Sequence, residues 1–224
     1  KWFKLFNPRQ LLTLVKLVKL IREAGKRVEE EKLREGSSGE EAFEYAEAVA
    51  TYLAIALIRY ASYSNATTPW KNSTGFGSTT ALLRAVNTMV FRGIAMAWNW
   101  TDYNLSYKGI GFERDIASIA SDLLYLISTT SNSHSKVKIL LDDATILSSL
   151  NNEKFDLIVT DPPYRHDVSY AELSDFYYVW LKRALSDDNL TPRFHSDVLI
   201  YSTQWESFAL NEISYHRKRI EYFG

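Results

Sequence analysis

The chain has 224 residues, 46% of them hydrophobic and 24% charged, which fits one ordinary domain with a helical annex and excludes wholesale disorder. Lys and Arg number 26 against 27 Asp and Glu, a net charge of -1, so a uniformly basic nucleic-acid binder is excluded while a local basic patch is not. With no cysteine, disulfides, thiolate metal sites and cysteine nucleophiles are excluded within this chain.

The longest near-apolar run, Ala48 to Ile58, ends at Arg59 and falls short of the ~20 residues of a membrane-spanning helix. No charged-then-apolar signal opens the chain, so a cytoplasmic protein without a membrane partner is the expectation. For the same reason the Asn-x-Ser/Thr triplets, such as that at Asn65, read as chance rather than glycan sites. The chain starts at Lys1 without Met and stops at Phe223-Gly224, which reads as a fragment of something longer.

Asn7 is a good N-cap and Pro8 suits a first helical turn. A helix is expected from Pro8 to about Arg34, with Leu11, Val15, Val18 and Ile21 at helical spacing. Lys16, Lys19, Arg22 and Lys26 recur at spacings of three and four and form a basic stripe, either a solvated face or a surface that tracks phosphates. Gly36-Ser37-Ser38-Gly39 breaks the helix, and Glu40 to about Tyr63 forms a second, so the two read as an antiparallel pair. Residues 64–78 read as polar loop, a third helix is expected from about Thr79 to Trp98, and a fourth from about Phe112 to Ile127. No internal repeat is visible.

The character then changes. Val137 to Leu141 is a short apolar run of strand formers that ends at Asp142-Asp143, and Ala144 to Leu150 is a short helix candidate. Phe155 to Thr160 reads as a second, buried strand, and Tyr170 to Leu185 as a helix. Strand, helix, strand, helix is a piece of a doubly wound α/β sheet, in which ligands sit at the carboxyl ends of the strands. The expected organisation is a mainly helical annex over residues 1–130 and a partial α/β catalytic region over 131–224.

The second run leads straight into Asp161-Pro162-Pro163-Tyr164, a tetrapeptide expected by chance in roughly one chain per thousand of this length. These residue types suit one chemistry. An exocyclic amine on a nucleobase is a poor nucleophile because its lone pair is delocalised into the ring. The Asp161 carboxylate and the Pro162 carbonyl can accept hydrogen bonds from that amine, localise the pair and stabilise the positive charge growing on nitrogen. The prolines restrict the backbone so that the carbonyl stays aimed. Tyr164 offers a flat face for the base and a π surface for a cationic methyl donor. The alternative is a rigid proline turn leaving a strand.

Asp161-Pro162-Pro163-Tyr164 resembles the catalytic motif of S-adenosylmethionine-dependent amino-methyltransferases. The block from Asp161 to Leu185 is similar to the adenine-specific DNA methylases that contain a zinc ribbon. The opening Phe6-Asn7-Pro8-Arg9-Gln10-Leu11-Leu12 is similar to the segment that follows the ribbon in that family. The resemblance implies a Rossmann-like methyltransferase sheet, partial in this chain, with the helical annex at its N-terminal side. It implies S-adenosylmethionine as methyl donor, DNA as partner, and transfer to adenine N6 of a base that has left the duplex. It also implies that Asp143, or Asp142 beside it, accepts a hydrogen bond from the cofactor's adenine amine. The competing role for both is an N-cap on the short helix.

Three departures from the family stand out. The zinc ribbon is absent, as zero cysteines demands. The aromatic-x-Gly-x-Gly cofactor turn is absent too, its nearest match being Gly75-Phe76-Gly77, which sits in polar loop. An upstream chain or domain would then supply that turn. Arg165-His166 also differs from the family's residues after the tetrapeptide, and His166 is a candidate substrate contact.

The four histidines have no metal-ligand spacing, so no metal is expected. Trp98 and Trp100 read as core, with base or cofactor stacking as the alternative. Phe176, Tyr177, Val179 and Trp180 likewise read as core. Two rivals remain to adenine N6 transfer in DNA. One is the same chemistry on cytosine N4, an RNA base or a protein amide. The other is a non-catalytic subunit that binds nucleic acid or a partner chain.

Overall fold

The first helix begins as the sequence dictates. In the computed structural model the Asn7 side chain accepts from the backbone N–H of Gln10, and the Gln10 side chain accepts from the N–H of Asn7, both at 2.9 Å. This reciprocal cap opens α1, Pro8–Arg34, with Pro8 in its first turn. The helix closes on Gly36, whose φ of +94° is a conformation that costs other residues a Cβ clash. The N–H groups of Gly36 and Ser37 turn back to the carbonyls of Leu33 and Lys32, both at 3.1 Å. Ser38 and Glu41 form a second reciprocal cap and start α2, Gly39–Tyr63.

The structure describes residues 2–74, 81–85, 96–97, 100–101, 105, 111–131, 137–138, 140, 142, 146–150, 153–161 and 170–185. Within them, α2 packs antiparallel on α1 and buries a row of small side chains, Ala46, Ala50, Ala54 and Ala61. Small side chains at every turn allow the two helices to approach closely, and Gly25 of α1 is buried as well. A third helix, Tyr170–Leu185, packs on both members of the pair. Its Phe176, Trp180, Ala184 and Leu185 complete a core with Phe6, Leu14, Leu17, Ile21, Leu57 and Tyr60. Each such large apolar side chain contributes about 1.5–3 kcal/mol on burial. In chain order it is α4, since α3, Phe112–Thr130, intervenes and packs against α2.

Trp70–Thr74 and Ala81–Ala85 are strands β1 and β2, paired antiparallel with Trp70 opposite Ala85 and Thr74 opposite Ala81. They form the one sheet among the described residues.

The expected Rossmann-like α/β sheet is therefore corrected: the described residues are predominantly helical and contain no parallel strands. Residues 153–161 hold no regular secondary structure, and their apolar side chains face solvent, Leu157 at 78% and Val159 at 82% exposure. An apolar run becomes an interior strand only when neighbours pair both its edges, and here none does. The described part of the 137–141 run also forms no strand. The short helix expected over 144–150 is reduced to a 3-10 turn, Ser148–Leu150. The third helix expected from Thr79 is contradicted at its start, where Ala81–Ala85 pairs as a strand although its residues are good helix formers. Pairing with β1 overrides propensity there. The first, second, fourth and last expected helices are all present, the fourth extended to Thr130.

Candidate active site

Asp161 is exposed and lies at the end of the irregular 153–161 segment. Pro162, Pro163, Tyr164 and His166 lie outside the described residues. The chain is described again at Tyr170, where α4 begins. From there it is held firmly. Phe6 stacks on Phe176 with ring centroids 5.8 Å apart and meets Trp180 edge-on at 5.3 Å. Arg22 donates to the carbonyl of Arg183 at 3.4 Å, a cation at the C-terminal end of α4. The segment that opens at Phe6 and the helix that ends at Leu185 are thus in direct contact.

Beneath α4 lies a polar segment that the sequence suggested only as loop. Ser64, Asn65, Thr67 and Thr68 are all buried. Asn65 donates to the carbonyl of Ala61 at 2.7 Å and accepts from the Thr67 N–H at 2.8 Å. Thr68 donates to the Ser62 carbonyl at 3.2 Å. Burial pushes the Tyr177 phenol of α4 up to about 12, against the pull of its hydrogen bond with Ser62. The Gln10 side chain spans from α1 to donate to the Thr101 carbonyl at 2.8 Å. Short Ser, Thr and Asn side chains can bond nearby backbone, which is why such a polar run can be buried. That side-chain inventory was the available signal. Asn65, with its amide committed here, is buried and not a glycan acceptor.

Asp142 has a local task. Its carboxylate accepts from the Ser148 hydroxyl at 2.9 Å and from the Ser149 N–H, which ties down the turn Ser148–Leu150. This is a capping contact made from six residues away, not the N-cap on a helix over 144–150 that was the alternative. Asp143 lies outside the described residues. Gly75-Phe76-Gly77 also lies outside them, but a strand does precede it, contrary to expectation: β1 ends at Thr74. Since β1 pairs antiparallel with β2, that glycine segment joins a hairpin rather than leading from a parallel strand into a helix. The residues described therefore do not assemble a cofactor site, and no group of His, Asp and Glu among them could hold a metal.

The basic stripe separates into two halves. Lys16 and Lys19 are exposed. Arg22 is turned to α4, and Lys26 pairs with Glu30 at 3.7 Å. Phe176 and Trp180 are core, as expected; Trp98 lies outside the described residues, and Trp100 is 45% exposed rather than core.

Sequence reasoning missed Asp115. It is 1% exposed in the first turns of α3 and receives the Arg59 guanidinium of α2 at 2.9 Å. Its second carboxylate oxygen is buried without a hydrogen-bond partner. Burial pushes its pKa up, and the nearby Arg59 and Arg114 oppose that shift. Acidic residues in a first helical turn usually face solvent beside the helix dipole, so its sequence position gave no sign of burial.

No helix among the described residues is long and apolar enough to cross a membrane. No protein-family model, curated protein or solved structure matches this chain.

Proposed function

We propose that the chain carries the substrate-amine site of an S-adenosylmethionine-dependent methyltransferase acting on an exocyclic nucleobase amine, adenine N6 in DNA first. The observation that carries this reading is the tetrapeptide Asp161-Pro162-Pro163-Tyr164, with the Asp161 carboxylate exposed to a substrate. In this reading Asp161 and the Pro162 carbonyl accept from the amine and hold its lone pair on nitrogen as charge develops. Tyr164 stacks on the extruded base. The docking of α4 on α1 and α2 supports it, because that packing anchors the chain a few residues beyond the tetrapeptide.

The test is transfer of a labelled methyl group from S-adenosylmethionine to an adenine-containing duplex. The cofactor should be present at about 1 mM, since a chain without the glycine turn should bind it more weakly than ~10 μM. Labelled N6-methyladenine in the digested DNA is the expected product. Parallel assays with a G·C-only duplex and with RNA separate the neighbouring substrates.

A second reading is favoured by the antiparallel hairpin around Gly75-Phe76-Gly77 and by the lack of parallel strands among the described residues. It is a non-catalytic chain that binds nucleic acid or a partner chain, the partner supplying the cofactor turn. Unlabelled DNA in the same assay, with cofactor affinity appearing only on addition of the partner, would favour it.

A further inference from the structure

The outer face of α1 is cationic where its inner face is apolar. At about 100° per residue, Val15, Lys19, Leu12, Lys16, Arg9 and Leu20 follow one another around the helix within an arc of about 140°. All six are exposed. Gln10, Leu14, Leu17, Val18 and Ile21, on the opposite side, are buried. The six therefore share one continuous surface of a single helix, and its three cations extend about 15 Å along the axis from Arg9 to Lys19.

Carboxylates are missing from this stretch. Residues 1–22 contain none, and the first, Glu23, pairs with Arg27. Lys26 pairs with Glu30, whereas Lys16 and Lys19 make no ion pair or hydrogen bond among the described residues. Like charges three residues apart repel on a helix surface, and a bound polyanion would relieve that repulsion.

A lipid surface fits this face poorly. A helix lying in a bilayer interface turns its apolar side to the acyl chains, and the apolar side of α1 is already buried in the core with α2 and α4. Lys19 and Lys16 sit inside the outer arc, where an inserting helix would carry apolar side chains. A DNA strand alternates anionic phosphates with sugars whose C–H edges are apolar, and the ridge Leu12, Lys16, Leu20 alternates in the same sense.

We infer that this face of α1 binds the DNA backbone: Arg9, Lys16 and Lys19 each neutralise a phosphate, and Leu12, Val15 and Leu20 lie against the neighbouring sugars. The contact is independent of base sequence. Arg22, one turn further on, holds the carbonyl of Arg183, and the core joins α1 to Trp180, so the face is fixed to the helix that follows the Asp-Pro-Pro-Tyr tetrapeptide. The inference rests on the methyltransfer reading only in taking DNA as the polyanion.

Fluorescence anisotropy with a labelled duplex of about 20 base pairs, over a salt series and without cofactor, tests it. Three phosphate contacts give a slope of log affinity against log salt of about -2.7, a fall of about fortyfold between 50 and 200 mM salt. K16E/K19E should bring the slope to about -1 and weaken binding at least about tenfold at 50 mM salt. K138E/K154E, which changes the net charge equally at two exposed lysines outside α1, should leave the slope unchanged. All four positions are exposed, and an unchanged circular dichroism spectrum confirms folding of each variant. A chain that binds no duplex at about 200 μM and 50 mM salt would overturn the inference. So would a slope that K16E/K19E leaves unchanged, or one that K138E/K154E lowers as much. Binding to phosphatidylserine vesicles but not to duplex would also overturn it and give the face to a lipid surface. Because the readout is binding, a chain that transfers no methyl group yet shows the predicted slopes would count against the reading of Asp161 and support the face. Transfer without the predicted slopes would count against the face alone.

Discussion

Phe6 meets Trp180 edge-on, at 87° between ring planes and 5.3 Å between centroids, and so links the residue before α1 to the last turns of α4. Both rings are buried, at 6% and 4% exposure. This contact joins the start of the helical pair to the segment that follows the Asp-Pro-Pro-Tyr tetrapeptide.

Phe6→Ala and Trp180→Ala should each cost about 3–5 kcal/mol, read from denaturant midpoints at constant slope. A double-mutant cycle should give a coupling of about 0.5–1.5 kcal/mol for the ring pair. Coupling within error of zero would show that α4 is held by its other contacts.

Gln10 is buried and serves two partners, the Asn7 N–H and the Thr101 carbonyl. Gln10→Leu keeps the approximate volume but leaves the carbonyl of Thr101 without that donor. The expected loss is about 1–3 kcal/mol, with Asn7→Ala losing about 1 kcal/mol for the cap alone. Equal losses in the two variants would mean that the contact to Thr101 adds nothing beyond the cap.

The Arg59–Asp115 pair should make stability depend on pH. Burial raises the folded-state pKa of Asp115 above its ordinary value. Between the two values the folded state binds the proton more tightly, so stability falls as pH rises through that window. Arg59→Ala removes the cation that opposes the shift and widens the window upward. Its destabilisation should be about 3 kcal/mol near neutrality, at the low end for a buried pair because Arg59 is 43% exposed. The loss should be smaller at pH 5 than at pH 8, measured by urea unfolding at both. A loss independent of pH would place Asp115 in a better-solvated setting.

The helices were legible because their signals are local. Asn7-Pro8, Gly36 and Ser38 mark ends by capping chemistry that needs no tertiary partner; of the apolar positions read at helical spacing in α1, Val18 and Ile21 are buried, Leu11 is half-buried and Val15 is exposed, and Leu14 and Leu17 complete the buried face. The strands were not legible, in either direction. Ala81–Ala85 is a strand without strand composition, and Phe155 to Thr160 has strand composition without a strand. In both cases pairing with another segment decides, and a single stretch of sequence carries no record of its partner. At the candidate site, the tetrapeptide and the helix after it were legible. The burial of Asn65 and Asp115 was not, since Asn65 is held by the Ala61 carbonyl and the Thr67 N–H, and Asp115 meets Arg59 of another helix.

The central claim is that Asp161 holds the lone pair of a nucleobase amine during methyl transfer, and steady-state kinetics of Asp161→Ala at saturating cofactor test it most directly. Removing one charge-stabilising group of this kind costs on the order of 3–4 kcal/mol in the transition state. The account predicts that kcat falls roughly a hundred- to thousandfold while KM for DNA changes little. An Asp161→Ala chain that turns over as fast as the wild type, or a wild-type chain that methylates no base at saturating cofactor, would contradict it.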